Sequence, residues 1–198
     1  MDTKLYSIGH GHKTLDEFLS ELVSFNIKYL IDVRSTPYSK WSPDFNQESL
    51  KKFLSINNIV YGYMGDIIGG RPLNNNCYDE EGYFDYKKMA DIPTFKEGLK
   101  RLVNANNLSD RVAIMCSESD PSLCHRSKLI GRELYYKYNI NMIHILTRDK
   151  TISEIEIINK LAYKGFVGGL FNDNNNEPPY FKSIKSYKEE HELEEIYD

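Results

Sequence analysis

Long apolar runs are missing from this sequence. None reaches the roughly 18 residues of a membrane-spanning helix, so no membrane span is expected. The opening MDTKLYSIGH has neither the basic start nor the apolar stretch of a secretory signal, and it reads directly as a first strand. Cysteine is scarce: Cys77, Cys116 and Cys124 are the only three, too few and too scattered for a disulfide framework. Reduced thiols in a cytoplasm are the corresponding expectation. An excess of basic charge is lacking as well. The net charge is −4, and the stretch from Lys185 to Asp198 accounts for it with two lysines and six carboxylates. The remaining body is neutral, which argues against the broad basic footprint of a protein that holds duplex DNA by its phosphates. A small phosphorylated ligand, or a local basic pocket for a nucleic-acid end, stays open. No internal repeat is present.

What the 198 residues do contain is an ordinary globular mixture, 40% apolar and 27% charged, enough chain for one domain with a real core. Leu5 to Ile8 reads as a strand ending in Gly9-His10-Gly11. Thr14 and Glu17 have the spacing of a reciprocal N-terminal cap. Leu15, Phe18, Leu19, Leu22 and Val23 follow on one helical face. Further strands are predicted at Tyr29 to Val33, Ile59 to Tyr63, Val112 to Cys116 and Met142 to Leu146. Helices are expected around Leu50 to Leu54, after a Thr94/Glu97 cap, from Pro121, and from Thr151 with Glu154.

Helices of this length between strands imply parallel pairing with right-handed crossovers. The expected fold is therefore α/β, a three-layer sandwich with a mainly parallel sheet of about five strands and helices on both faces. One domain is expected over residues 1–165, with an irregular tyrosine- and asparagine-rich insertion at about 65–92 that reads as a lid rather than as core. Residues 166–198 read as a linker, centred on NDNNNEPP, followed by an acidic extension.

In a parallel α/β sheet the strand-to-helix loops open on one edge, where ligands bind. Three loops carry chemistry there. His10 follows the first strand, and Asp32, Arg34 and Ser35 follow the second. The segment Cys116-Ser-Glu-Ser-Asp-Pro-Ser-Leu-Cys-His-Arg126 follows the fourth. Asp120 then Pro121 is a strong helix start, and the N–H groups of a first helical turn attract anions. Beside such a terminus and arginines, Cys116 would have its thiolate favoured and act as nucleophile. Glu118 would serve as acid or base, and Arg34 and Arg126 would clamp a phosphate or carboxylate.

Plainer readings compete. Cys116 can be packing at a strand end, His10 can satisfy a turn, and Asp32 with Arg34 can form an ion pair. Asp120 can be only a cap, with Leu123, Ser127, Ile130 and Leu134 as the helix's core face. Glu118 can cap a loop, and Gly69-Gly70-Arg71 can be an ordinary turn. The coincidence favours function, because arginines, a histidine, a glutamate and a thiol at one edge build a poor core.

Five motifs occur in order: Tyr6-Ser-Ile-Gly-His10, Leu30-Ile-Asp-Val-Arg-Ser35 with Pro37, Asp44-Phe-Asn46, Ile68-Gly-Gly-Arg71 and Met115-Cys-x-Glu-x-Asp-Pro-x-x-Cys-His-Arg126. Together they resemble the family named domain of unknown function 488, over roughly residues 4 to 147. The last motif is the specific one. The resemblance implies a fold and a site location rather than an activity. It assigns the site to His10, Arg34, Cys116, Glu118, Cys124, His125 and Arg126. The stretch from Leu73 to Tyr86 and the acidic tail depart from the family's compact pattern.

Three functions fit. The first is an enzyme acting on a phosphorylated or nucleotide-like anion. Cys116 and Glu118 would be catalytic, and His10, Arg34, Ser35, Arg71, Cys124, His125 and Arg126 would bind substrate. Sulfur or phosphate transfer of the rhodanese or cysteine-phosphatase kind is a weaker variant. Those loops return an arginine about five or six residues after the cysteine, where Pro121 and Ser122 stand. The second is a non-catalytic module for a nucleotide or a nucleic-acid end. The third is a zinc or iron centre of Cys116, Cys124 and His125, with or without His10. Neighbours on a helix point about 100° apart, which counts against it, so no metal ligand is assigned. Cofactor and oligomeric state stay open.

Overall fold

Successive side chains of the central strand fall on opposite faces of the sheet and are buried on both, and this sets the architecture. The computed structural model describes residues 3–71, 77–79, 83–166, 180, 181 and 183. In it Val112, Ile114 and Cys116 join the apolar cluster on one side of a sheet, while Ala113 and Met115 join the cluster on the other. The elements run β1 (Leu5–Gly9), α1 (Leu15–Ser24), β2 (Ile27–Asp32), α2 (Gln47–Ile56), β3 (Val60–Tyr63), α3 (Gly65–Ile68) and α4 (Tyr86–Asp91). They continue with α5 (Pro93–Asn106), β4 (Arg111–Cys116), α6 (Arg132–Tyr138), β5 (Ile143–Thr147), β6 (Lys150–Ser153) and α7 (Glu154–Phe166).

Among the described residues six strands form one sheet in the order β3-β2-β4-β1-β5-β6. The first five are parallel and β6 is antiparallel to β5. Phe18 and Leu22 of α1 and Leu50 and Leu54 of α2 cover one face. Phe95, Leu99 and Leu102 of α5, with Ile130 and Leu134, cover the other. The result is the expected three-layer α/β fold with one strand more. The cap of α1 is as read: Thr14 N donates to the Glu17 carboxylate at 2.8 Å, and Glu17 N to Thr14 Oγ1 at 3.2 Å.

Four local expectations are corrected. Thr151 lies in β6, not at a helix start. The helix opens at Glu154, and Ser153 N and Oγ donate to Glu156 at 2.9 and 2.6 Å. α5 begins at Pro93, one residue before Thr94, with no side-chain cap. Pro121 opens only one 3₁₀ turn, Pro121–Leu123, after which a π-helical segment, Arg126–Gly131, leads into α6. Leu123 consequently lies 47% exposed instead of on a core face. Finally, the described part of the 65–92 stretch contributes side chains to the core: Ile68, Cys77, Phe84, Tyr86 and Met89 are buried in the cluster that includes α5. The asparagine run, the NDNNNEPP linker and the acidic tail lie outside the described residues.

Candidate functional site

The C-terminal ends of β2, β4 and β1 stand side by side, so the loops after them share one edge. The β1–β4 pairing continues past both strands. His10 N donates to the Cys116 carbonyl at 3.1 Å and Gly11 N to that of Ser117 at 2.9 Å. Gly9 permits this approach, since a Cβ there would stand 2.0 Å from the Glu118 carbonyl oxygen.

Asp32 and Arg34 form the ion pair considered as a plain alternative. The fully buried Asp32 carboxylate accepts from Arg34 N at 3.0 Å, from Nε at 3.0 and 3.1 Å, from Nη2 at 2.6 Å and from the Tyr61 hydroxyl at 2.8 Å. Arg34 Nη2 also donates to the Phe45 carbonyl at 2.8 Å. His10 stacks on Phe45, with ring centroids 4.3 Å apart and planes inclined by 11°. Its Nδ1 lies 3.0 Å from the Gly11 carbonyl oxygen, and its Nε2 lies 3.4 Å from Arg34 Nη1. A carbonyl only accepts and a guanidinium only donates, so a neutral ring protonated on Nδ1 fits both contacts. Burial, and then the charge of Arg34, lower the His10 pKa to about 4.

The third loop holds the reactive groups. Cys116 Sγ, Cys124 Sγ and a His125 ring nitrogen lie within 4.8 Å of one another. His125 Nδ1 is 3.9 Å from Cys116 Sγ and 3.6 Å from Cys124 Sγ. A helix running from Pro121 would have splayed Cys124 and His125 apart. Instead Cys124 is extended, with φ −113° and ψ 150°, and both side chains face Cys116. The geometric objection to a shared ion therefore falls. His125 Nε2 donates to the Val33 carbonyl at 3.1 Å, which turns Nδ1 towards the sulfurs.

Arg126 is fully enclosed. Nε donates to Cys124 Sγ at 3.3 Å, Nη1 to Ser7 Oγ at 3.3 Å and Nη2 to the Glu118 carbonyl at 2.5 Å. Among the described residues it pairs with no carboxylate. A buried cation needs a counter-anion, and the Cys124 sulfur occupies that position. Burial opposes the Cys124 thiolate, but the hydrogen bond with Cys116 and the Arg126 charge outweigh it and bring the pKa down to about 6. Cys116 moves the other way, pushed up to about 12 by the same hydrogen bond and by burial. Of the two sulfurs, it is that of Cys124 that receives the Arg126 donors, so the arrangement favours negative charge there.

The remaining site residues line the rim. Ser35 Oγ accepts from Arg71 N at 2.8 Å, and a Cβ on the preceding Gly70 would stand 2.8 Å from His125 Nδ1. The Gly-Gly-Arg turn, weakly tied to the site in sequence, abuts its histidine. Arg71 is exposed. The Glu118 carboxylate faces outward and accepts from Asp120 N at 3.2 Å. Its carbonyl, not its side chain, reaches Arg126. Asp120 caps only Ser122 N, at 2.8 Å. Burial lowers the Lys128 pKa, while the charges of Cys124 and Asp120 raise it.

One set of residues escaped sequence reading. Ser7 Oγ is 2.6 Å from His144 Nδ1, His144 Nε2 is 2.7 Å from Glu154 Oε2, and Ser127 Oγ donates to Glu154 Oε1 at 2.9 Å. All four are buried, and Arg126 joins them to Cys124. The available signal was a single polar residue inside each of two apolar strands, Ser7 in LYSIG and His144 in IHILT.

Among the described residues no helix is long and apolar enough to cross a membrane. No curated protein and no solved structure matches the chain. The profile of the family described as domain of unknown function DUF488 matches residues 14–132, more than half of the sequence and including all of the third loop. The chain belongs to the DUF488 family.

Proposed function

We propose that the protein is an enzyme acting on a small phosphorylated or nucleotide-like anion, with the sulfur of Cys124 as its reactive group. The observation that carries this reading is the setting of that sulfur. Arg126 holds it with two donors, backbone N at 3.5 Å and Nε at 3.3 Å, while His125 Nδ1 stands 3.6 Å away. A sulfur so held reacts in its charged form. The Cys116 thiol supplies a neighbouring proton, His125 Nδ1 accepts one, and the exposed Glu118 carboxylate exchanges protons with solvent. Arg71, exposed at the rim next to the Gly70 that abuts the His125 ring, is the charge that meets the anion. All three cysteines are free, which suits a reducing cytoplasm.

A thermal-shift series with nucleotides, sugar phosphates, inorganic phosphate and short single-stranded DNA tests the reading. A ligand at about 100 times its Kd adds about 2.7 kcal/mol, a rise of several degrees in a chain of this size. Arg71→Ala should lose most of that rise, and Cys124→Ser should lose turnover. Absence of any shift with a phosphorylated compound sinks the reading.

A second reading, a non-catalytic module for a nucleotide or nucleic-acid end, draws on Trp41 and Tyr38. They stand 94% and 65% exposed on the loop after β2, and exposed aromatic rings stack on bases. Under this reading Trp41→Ala abolishes binding while Cys124→Ser leaves it intact and there is no turnover to lose.

A further inference from the structure

We propose that Cys116, Cys124 and His125 form a three-ligand site for a thiophilic divalent cation, zinc or ferrous iron, with the fourth position left for water or an anionic ligand. The proposal deepens the functional reading and rests on it in one respect, that this cluster is the reactive centre; with the ion bound, both sulfurs and His125 Nδ1 are its ligands, and the open fourth position takes the place of the proton-carrying roles of Cys116 and His125.

The distances fit first. Tetrahedral zinc with sulfur at about 2.3 Å and nitrogen at about 2.0–2.1 Å sets edges of about 3.8 Å between sulfurs and about 3.6 Å between sulfur and nitrogen. The two sulfur–nitrogen separations are 3.6 and 3.9 Å, and the three ligand atoms lie within 4.8 Å of one another. Side-chain shifts of up to about 1 Å, the most by which the sulfur–sulfur separation can exceed the tetrahedral edge, close the set on one ion. The ligands also arrive from well-anchored backbone: Cys116 ends the central strand β4, and Cys124 and His125 follow the Pro121–Leu123 turn.

The surroundings fit as well. A metal-binding histidine commonly donates its second ring N–H to a carbonyl or carboxylate, which fixes the tautomer. His125 Nε2 does this to the Val33 carbonyl at 3.1 Å, and the free nitrogen faces the sulfurs. Arg126 donates to Cys124 Sγ, as outer groups do to ligating thiolates. Room beside Nδ1 depends on Gly70, whose absent Cβ would stand 2.8 Å from that atom. Two thiolates and an imidazole are a soft donor set that selects zinc or iron over magnesium and calcium. Three protein ligands, with no fourth cysteine, histidine or carboxylate within reach among the described residues, match an open site rather than a closed structural one.

The test uses the full chain, reduced, stripped of metal with a chelator and kept free of oxygen. Titration with cobalt(II) should give thiolate-to-metal charge-transfer absorption and the visible bands of a four-coordinate ion, saturating at one equivalent. One equivalent of zinc should displace it. Cys116→Ser and His125→Gln should weaken cobalt binding at least tenfold and alter the spectrum. Cys77→Ser, which lies outside the ligand set, should bind like wild type. Because Cys124→Ser risks the fold, the charge-transfer intensity of the wild type itself counts the thiolates, and two are expected. No cobalt bands from a folded, reduced wild type, or equal binding by the His125→Gln chain, overturns the site. So does a Cys116–Cys124 disulfide that forms while the reduced protein takes up no metal. The two readings fail separately: a metal-free chain that still gains stability from a phosphorylated ligand refutes the metal alone. A cobalt-binding chain that no anion stabilises refutes the anion-processing function alone.

Discussion

Arg126 Nε stands 3.3 Å from the sulfur of Cys124, and the guanidinium is fully enclosed by protein. Each group answers the other's need. The cation lacks a carboxylate among the described residues, and the thiolate lacks water. Neither charge is stable there alone.

Removing either partner should therefore cost more than a lost contact. Arg126→Ala also takes one donor each from Ser7 Oγ and the Glu118 carbonyl, and should destabilise by roughly 3–5 kcal/mol. Cys124→Ala leaves the guanidinium buried without an anion. Because both single variants disrupt the same pair, the double variant should fall short of their sum by about 1–3 kcal/mol. Urea unfolding of the four proteins measures this, and strict additivity would show that the pair is not coupled.

The buried chain behind Arg126 predicts a graded series. Glu154→Ala removes the acceptor for His144 Nε2 and Ser127 Oγ and should cost roughly 3 kcal/mol or more. Glu154→Gln keeps an acceptor oxygen and the shape, so its cost should be distinctly smaller. Ser7→Ala should cost about 1–3 kcal/mol, leaving Arg126 Nη1 and His144 Nδ1 short of a partner. The gap between Glu154→Ala and the milder Glu154→Gln is the informative readout, again from urea midpoints; equal costs would mean that volume, not hydrogen bonding, matters there.

The legible part of this fold is what local periodicity encodes. Parallel strands announce themselves as apolar runs, and the Thr14–Glu17 cap is read from spacing because its partners lie within one turn. β6 was not legible. Lys150 to Ser153 is a short, polar edge strand whose order comes from pairing with β5. The edge that carries the site was legible too, because strand-to-helix loops must emerge together. Which cysteine Arg126 meets was not. That depends on Arg126 turning back onto Cys124 at the start of a π-helical segment, a backbone irregularity without a sequence signature. Glu154 likewise read as part of a cap, because its partner His144 is reached only through the β5–β6 hairpin.

His10 gives a pH dependence of stability. Its pKa falls from 6.5 to about 4 in the folded chain, through burial and then the Arg34 charge, with Arg126 acting the same way and Gly11 and Asp32 opposing. In that window the unfolded chain binds a proton that the native ring refuses. Stability is thus full above pH 6.5 and is lost as the pH falls towards 4, by on the order of 3 kcal/mol from this group. His10→Gln should flatten the slope between these limits whatever its own stability at neutral pH. Urea midpoints at about pH 7 and about pH 5 for both proteins, on either side of the unfolded-chain value, decide it, and identical slopes would refute the assignment.

Two glycines at the same edge should behave in opposite ways. At Gly9 an added Cβ would stand 2.0 Å from the Glu118 carbonyl oxygen and 2.9 Å from its carbonyl carbon. Both are backbone atoms in a continuing ladder and cannot turn aside. Gly9→Ala should thus cost stability throughout, by several kcal/mol, as overpacking against rigid neighbours does. At Gly70 the added Cβ meets the His125 ring instead, 2.8 Å from Nδ1 and 2.9 Å from Cγ. A side chain can rotate, at the expense of its bond to Val33 and its aim at the sulfurs. Gly70→Ala should therefore melt within a few degrees of wild type yet bind cobalt at least tenfold more weakly. Melting curves and cobalt titrations on the two variants separate the roles. A Gly70→Ala chain with wild-type metal affinity would mean that His125 does not need the position the glycine leaves it.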